Sequence, residues 1–411
     1  MKIVFVTTQS PLQSTLIGRV MPLAQEFQKM GNAVTVLVHE ENVATPSRLP
    51  AGQAGSPLYK GEKSQPKLKI IGPNPFERTA GGKKRYSGLR LIWTMKMNAI
   101  RAAWQLIKEK PDTVIIVKPL PENTLAVFLA KPFLKKTKII LDVDDFELEA
   151  NQLTSLLQRA AIHASERAAV KMASHIIVAT PFLGDHMQLL TGSKIPVTLI
   201  PTGLPLIPLS LDGERDGVRG ILVSPAGTAR HTMLFAGSVS ISSGHRVDML
   251  PEILVQVRKR VPDATLIIAG TGDDETALRE QFAKLGLQDA TTWHGRFSLD
   301  NIGPLMQDSA VLIDPIDASI ANRAKSSFRA ALALAYGVPI VSSNIGIRTA
   351  MIPATLHARF FAKPGDATAY AEKIITLLQA PVSEKDSALL QDASTQYQYN
   401  YLAQVYYNCI V

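Results

Sequence analysis

Short apolar runs alternate with longer stretches of helical period along the chain. In the first half the runs are KIVFVTT, AVTVLVH, LKIIGP, TVIIVKP, KIILDVDD, HIIVATP and VTLIPTG, and each predicts a strand. Helices are predicted between them near 18–30, 84–109, 122–132, 147–173 and 182–191. A second set follows: TMLFAGS, ATLIIAGTG, TTWHGR, AVLIDP, PIVSS and ARFFAK. Its helices fall at 246–260, 274–285 and 324–336, with a helical tail over 384–409. Strand and helix in alternation mark an α/β chain of parallel βαβ layers.

Two breaks interrupt this rhythm. Residues 43–67, with TPSRLPAGQAGSPLYKGEKSQPK, read as a surface loop. Residues 204–230 mix prolines, glycines and charge, and read as an interdomain link. The 411 residues exceed what one core organises, so two domains are expected, over 1–203 and 231–392. Two parallel-sheet domains in tandem place a ligand in the cleft at their strand C-terminal ends.

Composition adds limits. A single cysteine, Cys409, excludes a disulfide framework and a cysteine metal site, and fits a cytoplasmic setting. The opening MKIVFVTT reads as a strand, so no signal peptide is expected, and no apolar window is long enough to span a membrane. Residues 1–200 hold 26 Lys/Arg against 15 Asp/Glu, and the remainder 18 against 20. A basic first half implies an anionic surface as partner, and a near-neutral second half a small ligand; nucleic acid is not expected.

Candidate chemistry centres on NRAKSSFRAALALAYGVPIVSS, residues 322–343. Ser326 or Ser327 can cap the helix that runs to Tyr336. Lys325 and Arg329 are four apart and share a face if that helix extends backwards. Arg323 lies just upstream, and Arg348 follows on a later loop. Capping hydroxyls, free N–H groups and cations at one helix start make an anion site without a metal. An exposed basic helix end is the plainer alternative.

Other stretches add candidates. Gly18 precedes an amphipathic helix, where backbone amides can approach a ligand; an ordinary loop glycine fits equally. FAGSVSISSGHRVDML supplies Gly237, hydroxyls including Ser238, and Arg246 at a strand-to-helix turn suited to phosphate. It is neither a Walker loop nor a dinucleotide fingerprint. AGTGDDE reads as a plain strand-to-helix turn. LDVDDFELEANQ places Asp142, Asp144, Asp145, Glu147 and Glu149 at a strand end. There they could bind sugar hydroxyls, act as a base or hold a divalent ion, or merely cap the next helix. His245 and His294 sit at strand ends. Over 83–110, cations flank Leu89, Trp93, Ile100 and Trp104, a pattern suited to packing on the sheet and to lipid headgroups.

With these residues in view, the chain resembles the GT-B glycosyltransferases of glycosyltransferase family 4 over almost its whole length. MKIVFVTT…GRVMPLAQEFQKMGNAVTVLV, LFAGS…VDMLPEILVQVRKRVPDATLIIAGTGDD, WHGR and ALALAYGVPIVSS carry the likeness. The resemblance implies two Rossmann-like domains facing a cleft and a nucleotide-sugar donor held mainly by the C-terminal one. It also implies an acceptor held mainly by the N-terminal domain; a glycan, lipid-linked or small-molecule acceptor is expected to approach from the side of Gly18, Asp144 and Asp145. Transfer would be retaining and hexosyltransferase-type, with no cofactor and no obligatory metal. A helix within 393–411 would cross back to the first domain.

The chain departs from that pattern. Ser238 and Ser243 stand where the family has an arginine and a lysine. Ala324 and Leu332 stand at its Glu-x7-Glu pair, whose second acid binds the donor ribose. The expected donor residues are then Gly18, Gly237, Ser238, Arg246, Arg323, Lys325, Ser326, Ser327, Arg329 and His294, with Asp317 as a ribose ligand. Asp144 and Asp145 are the catalytic candidates. The basic first domain suggests a peripheral position at an anionic membrane. A non-catalytic scaffold, or a sugar-nucleotide epimerase on the same fold, is the alternative.

Overall fold

The computed structural model describes residues 1–11, 15–40, 66–79, 82–150, 153, 155–204, 231–297 and 301–411. The surface loop expected at 43–67 and the link at 204–230 lie almost wholly outside them. Two compact units emerge: Met1–Pro205 with Tyr399–Val411, and Leu206–Gln398.

The first unit is built on β1 (Lys2–Val6), β2 (Ala33–His39), β3 (Lys67–Gly72), β6 (Thr113–Val117), β7 (Lys138–Val143), β8 (His175–Val178) and β9 (Val197–Leu199). A hairpin of β4 (Phe76–Thr79) and β5 (Gly82–Arg85) stands apart. The seven strands are parallel in the order β3-β2-β1-β6-β7-β8-β9. β1 and β6 are buried on both faces, which is why they read as unbroken Val/Ile runs.

The second unit holds β10 (Thr232–Ala236), β11 (Thr265–Ala269), β12 (Thr291–Gly295), β13 (Val311–Ile313), β14 (Ile340–Ser343) and β15 (Phe361–Ala362). They are parallel in the order β12-β11-β10-β13-β14-β15. Both sheets reverse strand order beside their first strand, the arrangement of a Rossmann-like layer.

Several elements differ from expectation. The helix expected at 84–109 starts at Gly88, because β5 takes the residues before it. The helix expected at 147–173 is two, Glu147–Ala150 and Leu156–Met172, the second capped by Ser155. ARFFAK is helical over His357–Phe360 and leaves a two-residue strand. The helical tail breaks after Ser394, and Tyr399–Ile410 begins anew. The tail changes unit at 398/399, not at the expected 392/393: Tyr397 Oη donates to the Ala350 carbonyl at 3.2 Å, whereas Tyr399 N–H donates to the Leu204 carbonyl at 2.9 Å. Tyr406 then packs edge-on to Phe27, with ring centres 5.5 Å apart, in the first unit's core.

Candidate active site

In the second unit, β10 and β13 lie side by side and the chain leaves them in opposite directions. Open α/β sheets take ligands at such a point. β10 ends at Ala236, and Gly237 turns the chain with a φ of 155°. A Cβ there would lie 2.5 Å from Arg329 Nη1. Gly270, past β11, is tighter still: its Cβ would meet the Gly237 carbonyl oxygen at 1.7 Å. AGTGDDE is therefore more than a turn. Its backbone lies against the loop after β10, Val239 N–H donating to Thr271 O and Asp274 N–H to Val239 O, both at 3.2 Å.

Asp314, one residue past β13, is fully buried at the centre of this region. Arg329 donates to its Oδ1 from Nε at 2.7 Å, and Arg348 donates to its Oδ2 from Nε at 2.5 Å. Ser342 and Ser327 hydroxyls add bonds at 2.8 and 3.3 Å. Burial alone would raise this carboxyl; the two guanidinium groups outweigh it and hold Asp314 far below the usual range. Two cations on one carboxylate leave a positive charge in excess beside Gly237. Arg329 Nη2 also donates to His245 Nδ1 at 2.8 Å. Burial and the Arg329 charge push His245 well below its ordinary value, so it is a neutral acceptor near pH 7.

This corrects the role expected of Arg329. It is 5% exposed and bonded to Asp314, His245 and the Ala236 carbonyl, so what it presents to the loop is chiefly its charge. Nor do Lys325 and Arg329 share a helical face. The helix Ile320–Ala324 stops, Lys325 is extended (φ −87°, ψ 139°), and Phe328–Tyr336 restarts with Ser327 as its cap. Ser327 Oγ accepts from Ala330 N–H at 3.2 Å and is buried. Lys325 instead reaches the loop after β10, its Nζ donating to the Ser243 carbonyl at 2.7 Å.

The remaining donor candidates divide. Gly237 and Ser238 lie on that loop, and Ser326 is half-buried beside Lys325. Arg246 is half-buried, bonded to Asp248 through Nε (2.9 Å) and Nη2 (2.7 Å), and lies 3.9 Å from Asp317. Asp317 Oδ1 accepts from Ser319 N–H at 3.1 Å and Asn322 Nδ2 at 2.8 Å. Arg323 is exposed on its short helix. His294 is not brought to the site. It points outward from β12, the edge strand two places from β10, where Thr292, His294 and Arg296 alternate outward. Asp314 was missed; its signal was an acid closing the apolar run AVLI, with two arginines downstream.

The first unit has its own cluster at the ends of β6 and β7. Lys118 adopts φ 64° and is buried. Its Nζ lies 2.7 Å from Asp145, 3.1 Å from Glu147 and 3.4 Å from Asp144. Thr15 Oγ1 donates to Asp144 at 3.2 Å. Burial raises the Asp144 carboxyl, Lys118 opposes, and the Asp145 charge adds to the rise. The three carboxylate oxygens lie within 4.8 Å of one another, close enough to share a divalent ion, and the Lys118 ammonium reaches all three. Sequence reasoning found the acids and missed the lysine. Asp142, on β7, is not part of this cluster: Arg19 holds it at 2.7 Å, and Tyr406 donates to it at 3.3 Å. Gly18 is not in a turn. It sits inside the helical segment Leu16–Val20 that runs into Met21–Lys29, and Tyr399 Oη donates to its carbonyl.

Because the folded state raises Asp144, its ionisation costs stability above its unfolded value of about 3.9 and costs nothing below it. Asp144→Asn should therefore raise the first unit's melting point at pH 8, with the gain vanishing towards pH 4. Calorimetry at the two pH values checks this.

Two family models tile the sequence. Residues 18–203 match the glycosyl transferase 4-like domain, and residues 230–380 match glycosyl transferases group 1. The chain belongs to the group 1 glycosyltransferases. No curated protein matches the sequence. Solved structures agree on the GT-B fold. Sucrose-phosphate synthase from Thermosynechococcus elongatus is 14% identical with a TM-score of 0.71, over 99% of this chain and 98% of that one. Anabaena HepE in complex with UDP and glucose is 14% identical with a TM-score of 0.68, over 99% and 98%. The catalytic domain of Arabidopsis thaliana starch synthase IV, bound to ADP and acarbose, is 12% identical with a TM-score of 0.68, over 100% and 98%. Within this glycosyltransferase, Ala324 and Leu332 are both buried and apolar.

Proposed function

We propose that the chain is a retaining glycosyltransferase that takes a nucleotide-diphosphate sugar as donor. One observation carries this reading: Lys325 converges on the glycine-bearing loop after β10, beside the excess charge of the Arg329–Asp314–Arg348 group. A diphosphate leaving group needs such a field, and amides, Lys325 and Arg246 supply it without a metal. The complexes of HepE with UDP and of starch synthase IV with ADP support the donor class. The acceptor, a glycan, lipid-linked or small-molecule hydroxyl compound, is assigned to the first unit. Its proton passes to the departing phosphate, which becomes basic as the glycosidic bond breaks.

A test incubates the protein with a panel of nucleotide sugars and follows nucleoside diphosphate release and calorimetric binding. Lys325→Ala should weaken diphosphate binding about 10- to 100-fold, the value of a charge-assisted hydrogen bond, while the melting point holds. Binding to no donor would favour a second reading, a non-catalytic scaffold. Leu332 motivates that alternative: it is fully buried, and the resemblance drawn from the sequence expects the ribose-binding acid at that place.

A further inference from the structure

The first unit carries an exposed apolar face flanked by cations, made of residues other than those of the Lys118 cluster. On the helix Gly88–Glu109, Thr94, Asn98, Ala102 and Leu106 are buried. Leu89, Trp93, Ile100 and Trp104 recur on the opposite side at helical spacing, and the two tryptophans are 64% and 66% exposed. Next to them Ile70, on edge strand β3, helps close an apolar groove of about 330 Å³ with Ile100, Trp104 and Arg101. The helix Pro121–Ala130 packs against the same helix and presents Phe128; Phe133 follows it, and both rings are more than half exposed. Apolar surface of this extent, gathered on adjoining elements, marks an interaction site.

Its charge is one-sided. Between residues 66 and 138 the chain has 16 Lys/Arg against 4 Asp/Glu, and of these cations Lys118 is buried in the acidic cluster and not on this face. Of those acids, Glu109 is held by Lys2 and Lys69, whose hydrogen bonds bring its carboxyl down to about 2, and Glu122 is buried against His39. Lys96, Arg101 and Lys108 are exposed on the tryptophan-bearing helix, and Lys131, Lys135 and Lys136 are exposed around Phe133.

We infer that this face docks on an anionic lipid bilayer. Indole rings with flanking cations match a headgroup boundary, where the rings enter the interface and the cations meet phosphate. A second copy of the chain would set like charge against like. Lysines are also depleted from protein interface cores, and Lys67 and Lys69 guard the open edge of β3 against strand pairing. No helix among the described residues is long and apolar enough to cross a membrane, so the contact is interfacial.

The test sediments the full chain with phosphatidylcholine vesicles, with and without phosphatidylglycerol. Binding is expected only to the anionic vesicles, weakening as salt rises. Lys131→Glu/Lys135→Glu/Lys136→Glu should lower partitioning at least about 100-fold, and Trp93→Ala/Trp104→Ala at least about tenfold. All these side chains are exposed, so the melting point and donor binding should hold. Should a variant fold poorly, quenching of wild-type tryptophan emission by brominated phosphatidylglycerol decides in its place. Equal binding to neutral vesicles, no binding to either, or a dimer in light scattering that the tryptophan variant dissolves would overturn the proposal.

Discussion

Asp314→Asn should destabilise the second unit by about 3–5 kcal/mol, the cost of leaving buried charge without its partner. Two guanidinium groups share this one carboxylate, and both are at most 5% exposed. The asparagine keeps the shape and an acceptor oxygen for Ser342 or Ser327, so the loss isolates the charge. A drop of this size moves the melting point of a unit this large by roughly 10 °C. Differential scanning calorimetry reads it, provided the two units are fitted as separate transitions. The pH dependence has a definite sign. Asp314 lies below its unfolded value in the folded chain. Its contribution is thus complete above about pH 4 and is lost as pH falls towards the folded value. The variant should show a flatter acid limb. Arg329 then keeps its bonds to His245 and the Ala236 carbonyl but loses its charged partner. An unchanged transition would mean that the arginines find other partners.

Arg19→Met in the first unit should cost a similar amount, about 3–5 kcal/mol. Arg19 and Asp142 are each 1% exposed. The guanidinium also donates to the Ile200 carbonyl at 3.0 Å, tying the end of the sheet to its middle. Without it, the Asp142 carboxylate keeps, among the described residues, only the Tyr406 hydroxyl. Replacing both partners, Arg19→Leu with Asp142→Leu, should recover most of the loss, since no charge is then stranded. Melting curves of the single and double variants form the cycle, and a double variant as damaged as the single would show that packing around Arg19 matters more than its charge.

Helix breaks were the least legible part of the fold. NRAKSSFRAALALAY has a continuous helical period, yet the chain leaves the helix at Lys325. Ser327 is drawn into capping and towards Asp314, thirteen residues earlier, and no local spacing announces that. The same holds for 84–109, where a hairpin takes the first residues from the helix. In the site, the acids at the end of β7 were readable as a group because they are adjacent in sequence. Lys118, 27 residues before Asp145, was not.

The amino-acid sequence by itself determined the two sets of parallel strands and the family, and marked the loop after β10 as a candidate. Strands buried on both faces need unbroken apolar runs, and a tight turn needs its glycine, so these requirements are written locally. Only the tertiary structure decided which charges are available. Arg329 and Lys325 carry the same charge four residues apart. One is spent on a buried carboxylate and the other donates to a carbonyl of the loop after β10, because polar partners are chosen by proximity in space.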